Sequence, residues 1–247
     1  MSQHYISCEG VSFSYPDGKL AINDISLRVE HGESVGIIGA NGMGKSTFLR
    51  MLVGLHLAFT GNIIIGDIPI KKKTLPSIRE RVGYVFQDSD SQLFMPNAYE
   101  NIAFAPRNYG LNEEDVNVRV EAALRKVGIE HLREKPIYKM SGGEKKAVSI
   151  ATILSIKPDI ILMDEPSIAL DPKARRRLIN LLKAFDHTKI IATHDLDLVM
   201  ETCTRTIIIN DGQVIKDGIT KDILSNKELL EKNGLELPLS LQDPRWK

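Results

Sequence analysis

An α/β fold is what the sequence predicts, with an antiparallel β-subdomain at the N terminus and an α-helical subdomain inserted further along. Short, unbroken apolar runs recur along the chain and alternate with segments of helical period, the pattern of a parallel sheet buried on both faces. The opening segment instead alternates apolar with polar positions, as a half-buried antiparallel sheet does. Between Asp88 and Met140 the strand signal disappears and apolar residues recur at helical spacing.

Each element has its own signal. Ile6 and Cys8, then Val11, Phe13 and Tyr15, alternate with polar residues. After the Pro16-Asp17-Gly18 turn Ile25, Leu27 and Val29 alternate again. The continuous run from Val35 to Ile38 leads through a glycine-rich turn into a helix with Phe48, Leu49, Leu52 and Val53 on one face, the first strand–loop–helix unit of a parallel sheet. Further buried strands are predicted at Val82–Phe86, Ile160–Met163, Ile190–Ala192 and Ile207–Ile209. In the insertion, Asn112 starts a helix whose first turn carries Glu113, Glu114 and Asp115 at the positive dipole end; Val116, Val120, Leu124 and Val127 form its apolar stripe, and Gly128 stops it. The expected organisation is one domain. Residues 1–87 and 145–219 form the α/β core with its antiparallel subdomain, 88–144 the helical subdomain and 220–247 a short C-terminal extension.

The loop Gly39-Ala40-Asn41-Gly42-Met43-Gly44-Lys45-Ser46-Thr47 satisfies G-x-x-x-x-G-K-[ST] in the context that motif needs, after a buried strand and at a helix start. Glycines let backbone N–H groups close around phosphate oxygens, and the helix N terminus adds partial positive charge. Lys45 can reach β- and γ-phosphates, and the Ser46 hydroxyl can ligate Mg²⁺. The loop therefore predicts a nucleoside-triphosphate cradle. A second half-site follows: the strand Ile160–Met163 delivers Asp164 and Glu165 at its C-terminal end, the edge where open α/β sheets bind ligands. Asp164 suits Mg²⁺, and Glu165 suits the water that attacks the γ-phosphate.

A third signal is Met140-Ser141-Gly142-Gly143-Glu144 at the head of an apolar helix. Ser141 and Glu144 have the spacing of a capping box. Two bare glycines in a first turn are not needed for capping, and they suit close approach to an anion. Both readings stand together.

In the order and spacing of these motifs the chain resembles the ATP-binding-cassette (ABC) ATPases over nearly its whole length. The resemblance aligns Gly39–Thr47 with the family's phosphate loop, Met140–Glu144 with its signature, Asp164 and Glu165 with its Mg²⁺ and catalytic carboxylates, and 167–171 with its D-loop. Gln87 aligns with the glutamine that touches Mg²⁺ and the lytic water, His194 with the switch histidine. By the same resemblance Ser141, Gly142, Gly143 and Glu144 close on ATP held by an opposite cassette, with Asp171 at the intersubunit contact. Asp171 also precedes Pro172 and fits a helix N-cap. Tyr15 corresponds to the aromatic that stacks on adenine, though an alternating strand also places it in a core. The basic groups Lys71-Lys72-Lys73 and Lys173 with Arg175-Arg176-Arg177 are expected on solvated faces, and the remaining histidines and both cysteines in structural roles.

Phe86–Phe94, followed by Asn101–Pro106, resembles the energy-coupling-factor importers, nearest to their cobalt or nickel type. There this segment meets the helices of a membrane-embedded coupling protein. Asn101 stands where that pattern often has an acidic residue, and Glu144 where the signature has glutamine. The resemblance implies ATP and Mg²⁺ as cofactors and a second cassette, identical or related, as partner. It further implies a transmembrane coupling protein and a substrate-binding membrane subunit, and a place at the cytoplasmic face of the membrane. The alternatives are the ATPase of another ABC importer or exporter, or a soluble ABC ATPase acting on nucleic acid or ribosomes.

Composition narrows the partners. The 247 residues carry 32 basic and 32 acidic side chains, so no global field favours nucleic acid, and none is expected as partner. Cys8 and Cys203, far apart and without metal-ligand spacing, suggest neither a zinc site nor a disulfide framework. The longest apolar runs fall well short of the ~18 residues needed to cross a bilayer, and Met1–His4 has no leader-like character.

Overall fold

A computed structural model describes residues 6–242; residues 1–5 and 243–247, including the last part of the C-terminal extension and the N-terminal Met1–His4 reading, lie outside the described residues. β1 (Ile6–Ser14) and β2 (Leu20–Val29) pair antiparallel, and β1 pairs on its other edge with a later strand. The alternation read from the sequence is the observed pleat. Cys8, Val11 and Phe13 are buried, with Ile22, Ile25, Leu27 and Val29 opposite them. Next come β3 (Ser34–Ile38), α1 (Lys45–Leu52), β4 (Phe59–Ile65), β5 (Ile68–Pro69), α2 (Leu75–Arg81) and β6 (Val82–Val85). The order β2-β1-β4-β5 completes a four-stranded antiparallel sheet.

The helical segment contains α3 (Ala98–Asn108), α4 (Glu113–Val127) and α5 (Gly142–Ser155). Caps set their ends. The Asn97 side chain accepts from Glu100 N–H, Asn112 from Asp115 N–H and Ser141 from Glu144 N–H, while Gly128 ends α4 in the left-handed region at φ 74°. The rest of the core follows as β7 (Ile160–Asp164), α6 (Pro172–Lys183), β8 (Thr188–Ala192), α7 (Leu196–Thr202), β9 (Arg205–Asn210) and β10 (Gln213–Ile219). Two short helices, α8 (Thr220–Leu224) and α9 (Lys227–Lys232), follow.

The second sheet has the order β10-β9-β3-β8-β7-β6, all parallel except β10, which runs antiparallel at the edge. Its apolar strands bury alternate residues in opposite directions, as a period of two requires. Ile37, Ile160, Leu162, Ile190, Ile207 and Ile209 join a core shared with α1 and the antiparallel sheet. Ile38, Ile161, Met163, Ile191 and Ile208 join the core shared with α3–α6 and the C-terminal helices. The sheet is thus the middle layer. Gly83 on β6 allows a close helix contact: a Cβ there would lie 2.0 Å from Ile153 Cγ2 on α5. The consequence for function is that β3, β8, β7 and β6 are neighbours whose C-terminal ends open on one edge.

Candidate functional site: a cleft at the strand ends

β3 ends into the glycine loop. Gly39 lies so close to β9 that a Cβ would meet Ile209 O at 2.1 Å, and Gly44, at φ 100°, would meet Ala21 O at 2.5 Å, so neither position tolerates a side chain. Gly42 and Asn41 are exposed at the crest, whereas Met43 is tied to the β9–β10 turn through Gly212 N–H to its carbonyl, 3.2 Å. The Lys45 ammonium, 6% exposed, donates to Gly39 O at 2.7 Å and Ala40 O at 3.0 Å. Burial pulls its pKa below the ordinary lysine value, and the nearby Glu165 and Asp164 carboxylates pull it back up.

β7 supplies the acidic pair. Asp164 is fully buried; its Oδ1 accepts from Ser46 Oγ at 2.7 Å and its Oδ2 from Tyr84 Oη at 3.1 Å. Burial and the Asp164 charge push the Tyr84 phenol above its usual range, which keeps it a donor. Glu165 occupies the left-handed region at φ 47°, a conformation that costs a non-glycine residue about 1–3 kcal/mol. Its Oε2 accepts from Thr193 Oγ1 at 2.8 Å, lies 2.9 Å from His194 Nδ1, and accepts from His194 N–H at 3.3 Å.

These groups share one cleft. Tyr15, Asn41, Gly42, Gly44, Lys45, Ser46, Thr47, Gln87, Glu165 and His194 line a volume of about 440 Å³, within the usual range for small-molecule sites. Tyr15 Oη lies 2.8 Å from Thr47 Oγ1, and its ring meets Phe13 and His56 edge-on, so it belongs to both the wall of the cleft and the aromatic cluster beneath.

Ser141, Gly143, Glu144 and Asp171 do not reach this cleft. They line a separate cavity of about 120 Å³ between α5 and α6, and Gly142 lines another beside Gln87. The Ser141 corner is a closed capping box: Ser141 N–H donates to Glu144 Oε2 at 2.8 Å and Glu144 N–H to Ser141 Oγ at 3.2 Å. Lys135 grips both Glu144 oxygens at 2.8 Å and, with the Ser141 N–H, holds that carboxyl below the usual glutamate range. Asp171 caps α6 by accepting from Lys173 and Ala174 N–H.

Sequence reasoning missed several groups. Lys146, 2% exposed on α5, donates to Phe86 O at 2.9 Å and Gln87 O at 2.7 Å; burial lowers its pKa despite the Asp164, Asp88 and Glu165 charges. Gln92 bridges the same loop to α5, accepting from Phe86 N–H and donating to Ser149 O and Thr152 Oγ1. The expectation of a solvated face fails for Arg175. Its guanidinium makes two bonds of 2.8 Å to Asp195, because α6 packs against α7 and brings opposite charges together. Cys8 and Cys203 are buried, as structural roles require. Asn101 is 5% exposed; its amide accepts from Phe94 and Met95 N–H and donates to Met95 O and Asn97 O, and an ionised carboxylate could make only the two accepted bonds.

Among the described residues no helix is long and apolar enough to cross a membrane, and no group of three His, Cys, Asp or Glu side chains could hold a metal ion by itself. Residues 22–168 match the family model described as ABC transporter. The chain is 51% identical over 242 residues to a Geobacter sulfurreducens protein described as an ABC transporter ATP-binding protein, covering 98% of this chain and 97% of that one. It is 39% identical over 240 residues to the energy-coupling factor transporter ATP-binding protein EcfA of Methanocaldococcus jannaschii, covering 95% and 86%. Among solved structures, cbiO1 from Clostridium perfringens, part of the ABC transporter complex cbiONQ, superposes with a TM-score of 0.82 at 35% identity over 99% and 97% of the two chains. The dimeric cassette MJ0796 bound to ADP and Pi superposes with a TM-score of 0.80 at 28% identity, covering 87% and 98%. The strand–loop–helix cradle, the acidic strand end and these matches agree: the chain belongs to the ABC transporter family, as an ATP-binding subunit whose hydrolysis of ATP is coupled to transport.

Proposed function

We propose that this chain drives an energy-coupling-factor importer for cobalt or nickel ions or a vitamin, from the cytoplasmic face of the membrane, by ATP-dependent closure of two cassettes. The observation that carries the reading is the separation of two groups of expected site residues on one chain. Ser141–Glu144 and Asp171 do not line the cleft with Lys45, Ser46 and Glu165: Ser141, Gly143, Glu144 and Asp171 line a separate cavity, and Gly142 lines a neighbouring one beside Gln87. A second cassette, arranged head to tail, would bring one group to the other. The relatives EcfA and cbiO1 support the importer type. The ring pair Phe94 and Phe104, centroids 4.8 Å apart with Phe94 66% exposed, supplies an apolar contact for helices of a transmembrane coupling protein.

In this reading the N–H groups of 39–47 bind the phosphates, and the Lys45 charge balances theirs. Tyr15 flanks the adenine. Ser46 Oγ, Asp164 Oδ1 and the Gln87 side-chain oxygen would hold Mg²⁺; they are hard oxygen donors, which fit that ion, and two of them already lie 2.7 Å apart. When bound, the ion neutralises charge between the β- and γ-phosphates. The hydrogen bonds from Thr193 Oγ1 and His194 N–H and the contact with His194 Nδ1 all meet Oε2, so Oε1 is the oxygen that takes the proton of the attacking water as its oxygen bonds to γ-phosphorus and the bond from γ-phosphorus to ADP breaks. His194 keeps Nε2 for the γ-phosphate while Nδ1 orients Glu165. Closure stores contacts from both cassettes to each γ-phosphate, and hydrolysis removes them.

The test is native mass spectrometry of the affinity-tagged full chain extracted in mild detergent. The reading predicts two cassettes with at least one polytopic membrane protein. Recovery with ribosomes or nucleic acid and no membrane protein would contradict it.

A further inference from the structure

Glu165 is 5% exposed, sits in a left-handed backbone conformation and must nevertheless present one oxygen in a fixed direction. Its restraints differ in kind. The His194 ring is 58% exposed, whereas Thr193 has no exposed surface and cannot turn away. Thr193 Oγ1 accepts from Asp195 N–H at 3.0 Å, which leaves its own hydrogen to point at Glu165 Oε2, 2.8 Å away. Asp195 is fixed in turn. Its carboxylate accepts from Leu198 N–H at 2.9 Å and twice from Arg175 on α6, the helix that Asp171 begins. Burial raises the Asp195 pKa, but the Arg175 and Leu198 bonds outweigh it and hold the carboxyl below the ordinary aspartate value, so the ion pair stays charged.

We propose that Thr193 is a positioning residue for hydrolysis: it locks Glu165 Oε2 so that Oε1 faces the water, and the Arg175–Asp195 pair ties that lock to α6. The inference rests on Glu165 being the carboxylate that activates water. Losing one hydrogen bond to a charged group in the transition state lowers turnover by about 10- to 100-fold. A donor that only orients Glu165 leaves nucleotide binding alone.

The experiment measures ATP hydrolysis by the detergent-purified complex containing the full chain, comparing wild type, T193V, T193S, R175Q and E165Q. T193V is expected to lose about 10- to 100-fold in kcat with KM for ATP changed less than about twofold, and T193S to return to within about threefold of wild type. R175Q should lose severalfold in kcat at unchanged KM. Wild-type kcat in T193V beside an inactive E165Q overturns the proposal, as does T193S falling as far as T193V, which would assign the effect to packing of the methyl group. If T193V does not accumulate folded, an unchanged kcat in R175Q overturns it. A fully active E165Q would instead remove the underlying assignment of Glu165.

Discussion

Replacing Lys146 by methionine removes an ammonium and keeps the length of the side chain. In the wild type that ammonium is the clasp between α5 and the end of β6, donating to Phe86 O at 2.9 Å and Gln87 O at 2.7 Å from a position 2% exposed. A hydrogen bond from a charged donor contributes about 1.5–3 kcal/mol net, and a buried carbonyl left unpaired costs about 1–3 kcal/mol. Two bonds are lost, but the variant no longer buries a charge, a cost visible in the lowered lysine pKa. The balance is a loss of about 2–4 kcal/mol, or about 4–16 °C in Tm at about 2–4 °C per kcal/mol for a chain of this size. Thermal unfolding followed by circular dichroism reads the stability, and the Mg²⁺ dependence of ATP hydrolysis reads the position of Gln87, which should need more Mg²⁺. Lys145→Met is the control. Its partner Asp90 has a side chain 65% exposed, and such a pair contributes less than about 1 kcal/mol. If K146M melts with K145M and keeps the wild-type Mg²⁺ dependence, the clasp has no energetic role.

Other expectations follow from single contacts. K45A should weaken ATP binding at least about tenfold by isothermal titration, and unchanged affinity would contradict the placement of the ammonium at the phosphate loop. G83A forces a Cβ into Ile153 and should destabilise by about 1–3 kcal/mol in denaturant unfolding; trimming the neighbour in G83A/I153A should restore part of it. Burial pushes the Cys8 thiol up to about 12 and Cys203 to about 11, so at pH 8 neither forms thiolate in the native state. A chromogenic disulfide reagent should label them only on unfolding, and stoichiometric labelling of the folded chain would refute their burial.

The parts of the fold that show in the sequence are those with local causes. Apolar runs such as Ile160–Met163 are legible because a strand buried on both faces has no polar position to spare. The caps at Asn112, Ser141 and Asp171 are legible because each side chain and the backbone N–H it accepts from lie within three residues. β10 is not, since Gln213–Ile219 is an edge strand with mostly exposed side chains and lacks a buried pattern. The cradle at 39–47 is legible because its chemistry is contiguous. The Tyr84–Asp164 bond, the Lys146 clasp and the Arg175–Asp195 pair join residues between 20 and 80 positions apart. No local period marks such pairs; only the pairing of β6 with β7 and the packing of α5 on β6 and of α6 on α7 create them. Arg175 shows the error that results, because a run of three arginines looks solvated until the helix opposite is known.

In the proposed composite site this chain supplies one half, and Glu165 acts on nucleotide held between its own cleft and the Ser141 corner of a second cassette. Size-exclusion chromatography with light scattering of E165Q, alone and mixed with the cassette that co-purifies with it, tests it in Mg-ATP and in Mg-ADP. The account predicts a cassette pair in ATP that dissociates in ADP. Monomers in ATP at every concentration, with nucleotide bound, would contradict it.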